Sequence, residues 1–123
     1  MLKDIHEPGD LKRLRPAELD LLAEELRREI VKVTSEQGGH LASNLGVVEL
    51  TLALHYVLNC PEDKLVFDVG HQTYAHKLLT GRYQAFQKLR AQGGASGFPR
   101  VSESEYDAFT AGHASYTLSE TRG

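Results

Sequence analysis

The sequence predicts a helix-rich α/β chain with an incomplete sheet. Three observations predict it. Leu19, Leu22, Leu26, Ile30 and Val33 recur at three- and four-residue steps, the apolar stripe of an amphipathic helix. Gly46 to Asn59 is apolar almost all round, the pattern of a helix at the centre of a domain. Leu65-Val66-Phe67-Asp68-Val69 is the one run that reads as a strand. A lone strand leaves its ladder groups unmade, and burying them unpaired costs about 1–3 kcal/mol each. The strand therefore asks for partners that this chain does not supply.

Each element follows in order. Pro8-Gly9-Asp10 reads as a turn ending in a helix N-cap, with Leu11 to Leu14 a short helical turn after it. Pro16 suits the first turn of the long helix. Acidic Glu18, Asp20, Glu24 and Glu25 lie early in it, and basic Arg27, Arg28 and Lys32 lie late, which complements the helix dipole. Glu24 and Arg28 are spaced to pair. Gly38-Gly39 stops the helix. A polar loop, Gly38 to Asn44, leads to the apolar helix, where Glu49 reads first as a first-turn cap and otherwise as a group pointing at a partner or a cofactor. After the strand, Gly70-His71 sits at its C-terminal end. Gln72 to Thr80 reads as a short helix closed by Gly81, and Arg82 to Arg90 as another with Tyr83, Phe86 and Leu89 on one face. Gln92 to Ser104 is Gly-rich and reads as a mobile loop. Tyr106 to Thr110 reads as a short extended piece leading into Gly112-His113.

The chain has 123 residues, of which 41% are hydrophobic and 25% charged. Its mass scales to about 6,600 Å² of folded surface against about 19,700 Å² unfolded, enough burial for a core. Fourteen Lys and Arg face 17 Asp and Glu, a net charge of −3, and no basic stripe stands out for nucleic acid. No apolar run reaches a membrane span, and the first residues lack the apolar stretch of a signal peptide. One cysteine, Cys60, makes no intrachain disulfide and fits a reducing, cytoplasmic compartment; it reads as a small buried hydrophobe.

Six histidines are the unusual item, and three follow a glycine: His40, His71 and His113. Glycine allows close backbone approach to a ligand, and the imidazole projects into the same space. His71 ends the strand, where open α/β sheets place ligands. Ser43 and Ser115 put hydroxyls near two of these imidazoles. The plainer reading is a set of solvated loop histidines. A zinc site is a third reading, although no spacing matches a structural zinc site. His55 and His76 read as structural.

Four runs stand out as words: Gly39-His40-Leu41-Ala42-Ser43-Asn44-Leu45-Gly46 through His55-Tyr56, Asp68 to Lys77 with Leu79-Thr80-Gly81-Arg82, Gly97-Phe98-Pro99, and Glu103 to Asp107 leading into Gly112-His113-Ala114-Ser115. In this order they resemble the start of the 1-deoxy-D-xylulose-5-phosphate synthase family of transketolase-like enzymes. The resemblance implies thiamine-diphosphate- and magnesium-dependent condensation of pyruvate with glyceraldehyde 3-phosphate. The products are 1-deoxy-D-xylulose 5-phosphate, a precursor of isoprenoids, thiamine and pyridoxal, and CO2. It implies a homodimeric full enzyme and a helix-rich part of a transketolase-like, diphosphate-binding fold with an incomplete parallel sheet. His40 matches a histidine near the reacting carbon, suited to proton transfer because imidazoles titrate near neutral pH. Ser43 matches the same pocket. His71, Gly112, His113 and Ala114 match cofactor contacts, with Ala114 in place of the family's serine. Asn44 and Leu41 match accepted variants.

The chain departs from the family after Ser119, and Tyr116 replaces a small polar residue. The family's Gly-Asp-Gly motif, which anchors diphosphate and magnesium, has no counterpart here; the one Gly-Asp, Gly9-Asp10, is not followed by glycine. Residues 1–123 are thus expected to be part of the first domain of a longer enzyme, inactive in isolation. The alternatives are a non-catalytic truncated remnant and a small histidine-based metal-binding protein.

Overall fold

A computed structural model describes residues 1–67 and 72–108. Two 3₁₀ turns open the chain, Leu2–Asp4 and Pro8–Arg13. Among the described residues five α-helices follow: α1 (Pro16–Gln37), α2 (Ala42–Leu45), α3 (Val48–Val57), α4 (Tyr74–Leu79) and α5 (Tyr83–Phe86). No strand occurs among the described residues. The expected strand is corrected on its first three residues: Leu65, Val66 and Phe67 carry no ladder, and positions 68–69 lie outside the described residues. Pairing needs a second strand, and none occurs among the described residues. Phe67 instead sets its ring 5.1 Å from that of His76.

α1 forms as its pattern predicts. Pro16 occupies its first turn, the Glu18 carboxylate accepts the Arg15 N–H at 3.0 Å, and Gly38 ends it with φ of 81°. Leu22, Leu26, Ile30 and Val33 are buried along one face, with Leu19 packed at the margin. That face meets α3, α4 and the first 3₁₀ turn. Leu2, Leu11, Leu52, Leu78, Phe86 and Leu89 are among the residues that join them in the core. The ion pairing differs from expectation: Arg27, not Arg28, reaches Glu24 at 2.7 Å. Arg27 also pairs with Glu49, which is therefore a tie between α1 and α3 rather than a cap.

Other boundaries shift for local reasons. The second 3₁₀ turn starts at Pro8, with Glu7 at its N-cap. Asp10 lies inside the turn, and its carboxylate accepts the His6 and Glu7 N–H groups at 2.9 and 3.3 Å. Part of the expected polar loop is helical, as α2. α3 is not enclosed: Leu50 and Val57 are 60% and 72% exposed. The second 3₁₀ turn, α1 and α4 cover one side of α3, and Lys12 donates to the carbonyls of Tyr56 and Leu58 at its end. The opposite stripe has no cover among the described residues. Cys60 is half-buried, with its thiol pKa raised by burial and by Asp63. Among the described residues no helix is long and apolar enough to cross a membrane.

Leu26 is fully buried at the centre of the α1 stripe. Leu26→Ala is expected to lower unfolding free energy by about 2–5 kcal/mol. Urea unfolding followed by circular dichroism would show this as a lower midpoint; an unchanged midpoint would mean that α1 does not pack as described.

Candidate functional site

The site is built from the end of α1 forward. Gly38 and Gly39 take φ of 81° and 123°, a region that other residues rarely adopt. The chain turns sharply there and presents His40. A Cβ on Gly39 would lie 2.7 Å from the Tyr74 Oη, so glycine is required by space as well as by φ.

His40 is exposed, but its backbone is held from both sides. Its N–H donates to the Tyr74 Oη at 3.1 Å, and its carbonyl accepts the Asn44 Nδ2–H at 2.6 Å. The Asn44 Oδ1 accepts the Tyr74 N–H at 3.0 Å, which closes a ring of three hydrogen bonds. Asn44 and Tyr74 are both fully buried, and Tyr74 packs edge-on against Phe86 at 5.4 Å. A buried carboxamide left unbonded would cost about 1–3 kcal/mol, so bonding at both ends is what allows Asn44 there. Ser43 is half-buried on α2 beside this clamp.

The clamp ties His40 to the first residue of α4, three positions after His71 in the sequence. His71 itself lies outside the described residues, as do Gly112, His113 and Ala114. Asn44 and Tyr74 carry no chemical signal in the sequence. Their importance lies in burial and geometry, and the one cue is a buried-type helix start beside a Gly-Gly turn.

A second polar cluster lies behind the clamp. α4 is buried on every side although it contains His76 and Lys77. Charges there must find partners. His55 Nε2 and His76 Nδ1 are 2.8 Å apart, and His76 Nε2 is 2.9 Å from the Asp107 Oδ1. Arg82 donates to both oxygens of Asp107 at 2.7 and 2.8 Å and to Glu103 at 2.8 Å. Lys77 donates to the carbonyls of Ser96 and Phe98 at 2.6 and 2.7 Å and to Glu103 at 2.8 Å. Two cations thus face two carboxylates, and all three Lys77 protons are used.

The proton positions follow. Burial, then His76, lowers the His55 pKa to about 3, and burial lowers that of His76 although Asp107 pulls the other way. Both rings are neutral near pH 7. Asp107 accepts only, so His76 carries its proton on Nε2 and accepts from His55 through Nδ1. His55 Nδ1 is then an acceptor, and it has no partner among the described residues. Burial opposes ionisation of Glu103 and Asp107. Lys77 with the Ser96 N–H outweighs it at Glu103, and His76 with Arg82 outweighs it at Asp107, holding both below the usual carboxylate range.

Two sequence expectations change here. The Gln92–Ser104 loop is tied down: Lys77 holds two of its carbonyls, Glu103 accepts the Ser96 N–H at 2.8 Å, and Asp107 accepts the Arg100 N–H at 2.8 Å. The expected extended piece is instead a turn through Tyr106 that buries Asp107; positions 109–110 lie outside the described residues. Among the described residues no group of three or more His, Cys, Asp or Glu side chains could hold a metal ion.

Comparison with known proteins places these residues in context. The family model described as 1-deoxy-D-xylulose-5-phosphate synthase matches residues 2–123. A 1-deoxy-D-xylulose-5-phosphate synthase of Thermus thermophilus is 59% identical over 123 residues, all of this chain and 20% of the relative. Proteins of the same name from Heliobacterium modesticaldum and Treponema pallidum are each 58% identical over the whole chain, which covers 19% and 20% of them. The chain therefore spans about a fifth of the length of the curated relatives it matches.

The neutral histidine pair makes stability depend on pH. Unfolded, His55 takes up a proton below its ordinary value of 6.5; folded, it does so only near 3. Between those values the unfolded chain binds more protons, so stability is complete above 6.5 and falls as pH falls. The loss for His55 is about 1.4 kcal/mol per pH unit at most, and His76 acts in the same direction. The urea midpoint is expected to be clearly lower at pH 5 than at pH 7.5. Equal midpoints would refute the neutral pair.

Proposed function

The chain belongs to the 1-deoxy-D-xylulose-5-phosphate synthase family, and on that premise we propose that it is part of such a synthase. The whole enzyme would condense pyruvate with glyceraldehyde 3-phosphate, releasing CO2 and forming 1-deoxy-D-xylulose 5-phosphate. The observation that carries this reading is 59% identity across every residue of the chain, with the glycine-histidine words intact. In this reading residues 1–123 are part of a larger diphosphate-binding domain with a parallel sheet, in a homodimeric cytoplasmic enzyme.

Thiamine diphosphate, when bound, would supply the electron sink for decarboxylation. His40 fits one edge of that chemistry: it is an exposed imidazole on a backbone pinned at both ends, suited to hold or move a proton at a ring nitrogen. The Ser43 hydroxyl beside it would orient the substrate. His71, Gly112, His113 and Ala114 are the residues assigned to cofactor contact. Magnesium, when bound with the diphosphate, would be held by the family's Gly-Asp-Gly motif and asparagine, which have no counterpart in residues 1–123. Its site would lie in the remaining length of the enzyme.

Two measurements test the reading. The isolated chain, with pyruvate, thiamine diphosphate and magnesium, is expected to release no CO2 above background; steady release would overturn its assignment as an incomplete site. A chimera in which this chain replaces the aligned segment of the Thermus thermophilus relative is expected to form product within about tenfold of the parent rate. His40→Ala in that chimera is expected to lower kcat by about 10²–10⁴-fold. Full activity of that variant would remove His40 from the chemistry.

A further inference from the structure

We infer that Asn44 and Tyr74 are positioning residues for His40, setting the direction of its side chain from two separate helices. The inference rests on the reading of His40 as the reacting-centre histidine.

The argument begins with the two glycines. Gly38 and Gly39 leave the backbone before His40 with more conformational freedom than any other pair would. A catalytic side chain on such a hinge would be poorly placed, because proton transfer needs hydrogen-bond reach and alignment. The structure answers this at the backbone of His40 itself. Its N–H is bonded to Tyr74 and its carbonyl to Asn44, so the peptide units on both sides of its Cα are pinned. With both units fixed, the Cα–Cβ direction is fixed.

The pins are themselves rigid. Tyr74 is fully buried with its ring against Phe86, and Asn44 is fully buried with its Oδ1 on the Tyr74 N–H. Stability accounts for one of these bonds, because the Asn44 Oδ1 satisfies the buried Tyr74 N–H at the start of α4. The two bonds to the His40 backbone are not needed for packing, since phenylalanine at 74 would present the same ring to Phe86. What the polar atoms add is register between the turn bearing His40 and the start of α4.

The test uses the isotopically labelled 123-residue chain and nuclear magnetic resonance. Tyr74→Phe removes the Oη and keeps the ring. Asn44→Asp keeps the acceptor for the Tyr74 N–H and removes the donor to His40. Amide exchange at His40, Tyr74, Leu26 and Ile30, the His40 ring Cε1–H resonance and the urea midpoint are recorded for each. Tyr74→Phe is expected to speed His40 amide exchange at least tenfold and to move the ring resonance, with Leu26 and Ile30 unchanged. Asn44→Asp is expected to move the ring resonance while the Tyr74 amide stays protected. If neither variant moves the His40 signals, the inference fails. If all four amides speed up together as the midpoint falls, the residues are merely structural and the inference fails as well. These readouts need no turnover, so an inactive chimera would count against the proposed function alone.

Discussion

Asp107 keeps its charge at a point where the residue is only 3% exposed. A carboxylate can do so only if donors replace the water it has lost. Four donors do so here: His76, both terminal nitrogens of Arg82 and the Arg100 backbone. Much of the fold is arranged around satisfying this one group. Arg82 must leave α4 at Gly81 in the right direction, His76 must be neutral with its proton on Nε2, and His55 on α3 must back it. Glu103 then neutralises the remaining positive charge with Lys77. The apolar core gives the chain its burial, whereas this polar cluster dictates which way α3, α4 and the 96–107 segment face one another.

The sequence made the helices legible where one physical signal dominated. α1 has a stripe, a proline at its start and glycines at its end, and each does what it predicts. Legibility failed where the outcome depended on residues far apart in the chain. Glu49 looked like a cap because its local position allowed one, but Arg27 on another helix claimed it. The glycine-rich loop looked mobile because composition reports backbone freedom and not the buried ammonium that removes it. At the candidate site the same division holds. His40 and Ser43 are the residues whose types suggest chemistry in the sequence. Asn44 and Tyr74, which hold His40, were visible only as one polar residue and one aromatic. His55 and His76 read as structural and are both buried, but the partnership of Lys77, Arg82, Glu103 and Asp107 with them has no local signature.

α3 shows a different kind of mismatch. Its composition is that of a central helix, yet one stripe with Leu50 and Val57 stays open among the described residues. Leu65 to Phe67 likewise has the composition of a strand and no ladder. Both features accord with a chain covering about a fifth of its relatives' length. Under the proposed function, local composition would reflect the surroundings of a whole subunit, whereas the packing reflects only the residues described.

The closeness of Gly39 to the Tyr74 hydroxyl has a consequence for how variation at this site is read. Under the proposed function, a scan of random substitutions in the whole enzyme would score position 39 among the residues activity cannot spare, beside His40. The two signals would have unlike origins. At 40 the side chain is what the proposed function uses; at 39 it is the lack of one that the fold uses, since even a methyl group would meet the tyrosine that fixes its neighbour. Intolerance at 39 therefore measures the clearance of the clamp and says nothing of proton transfer.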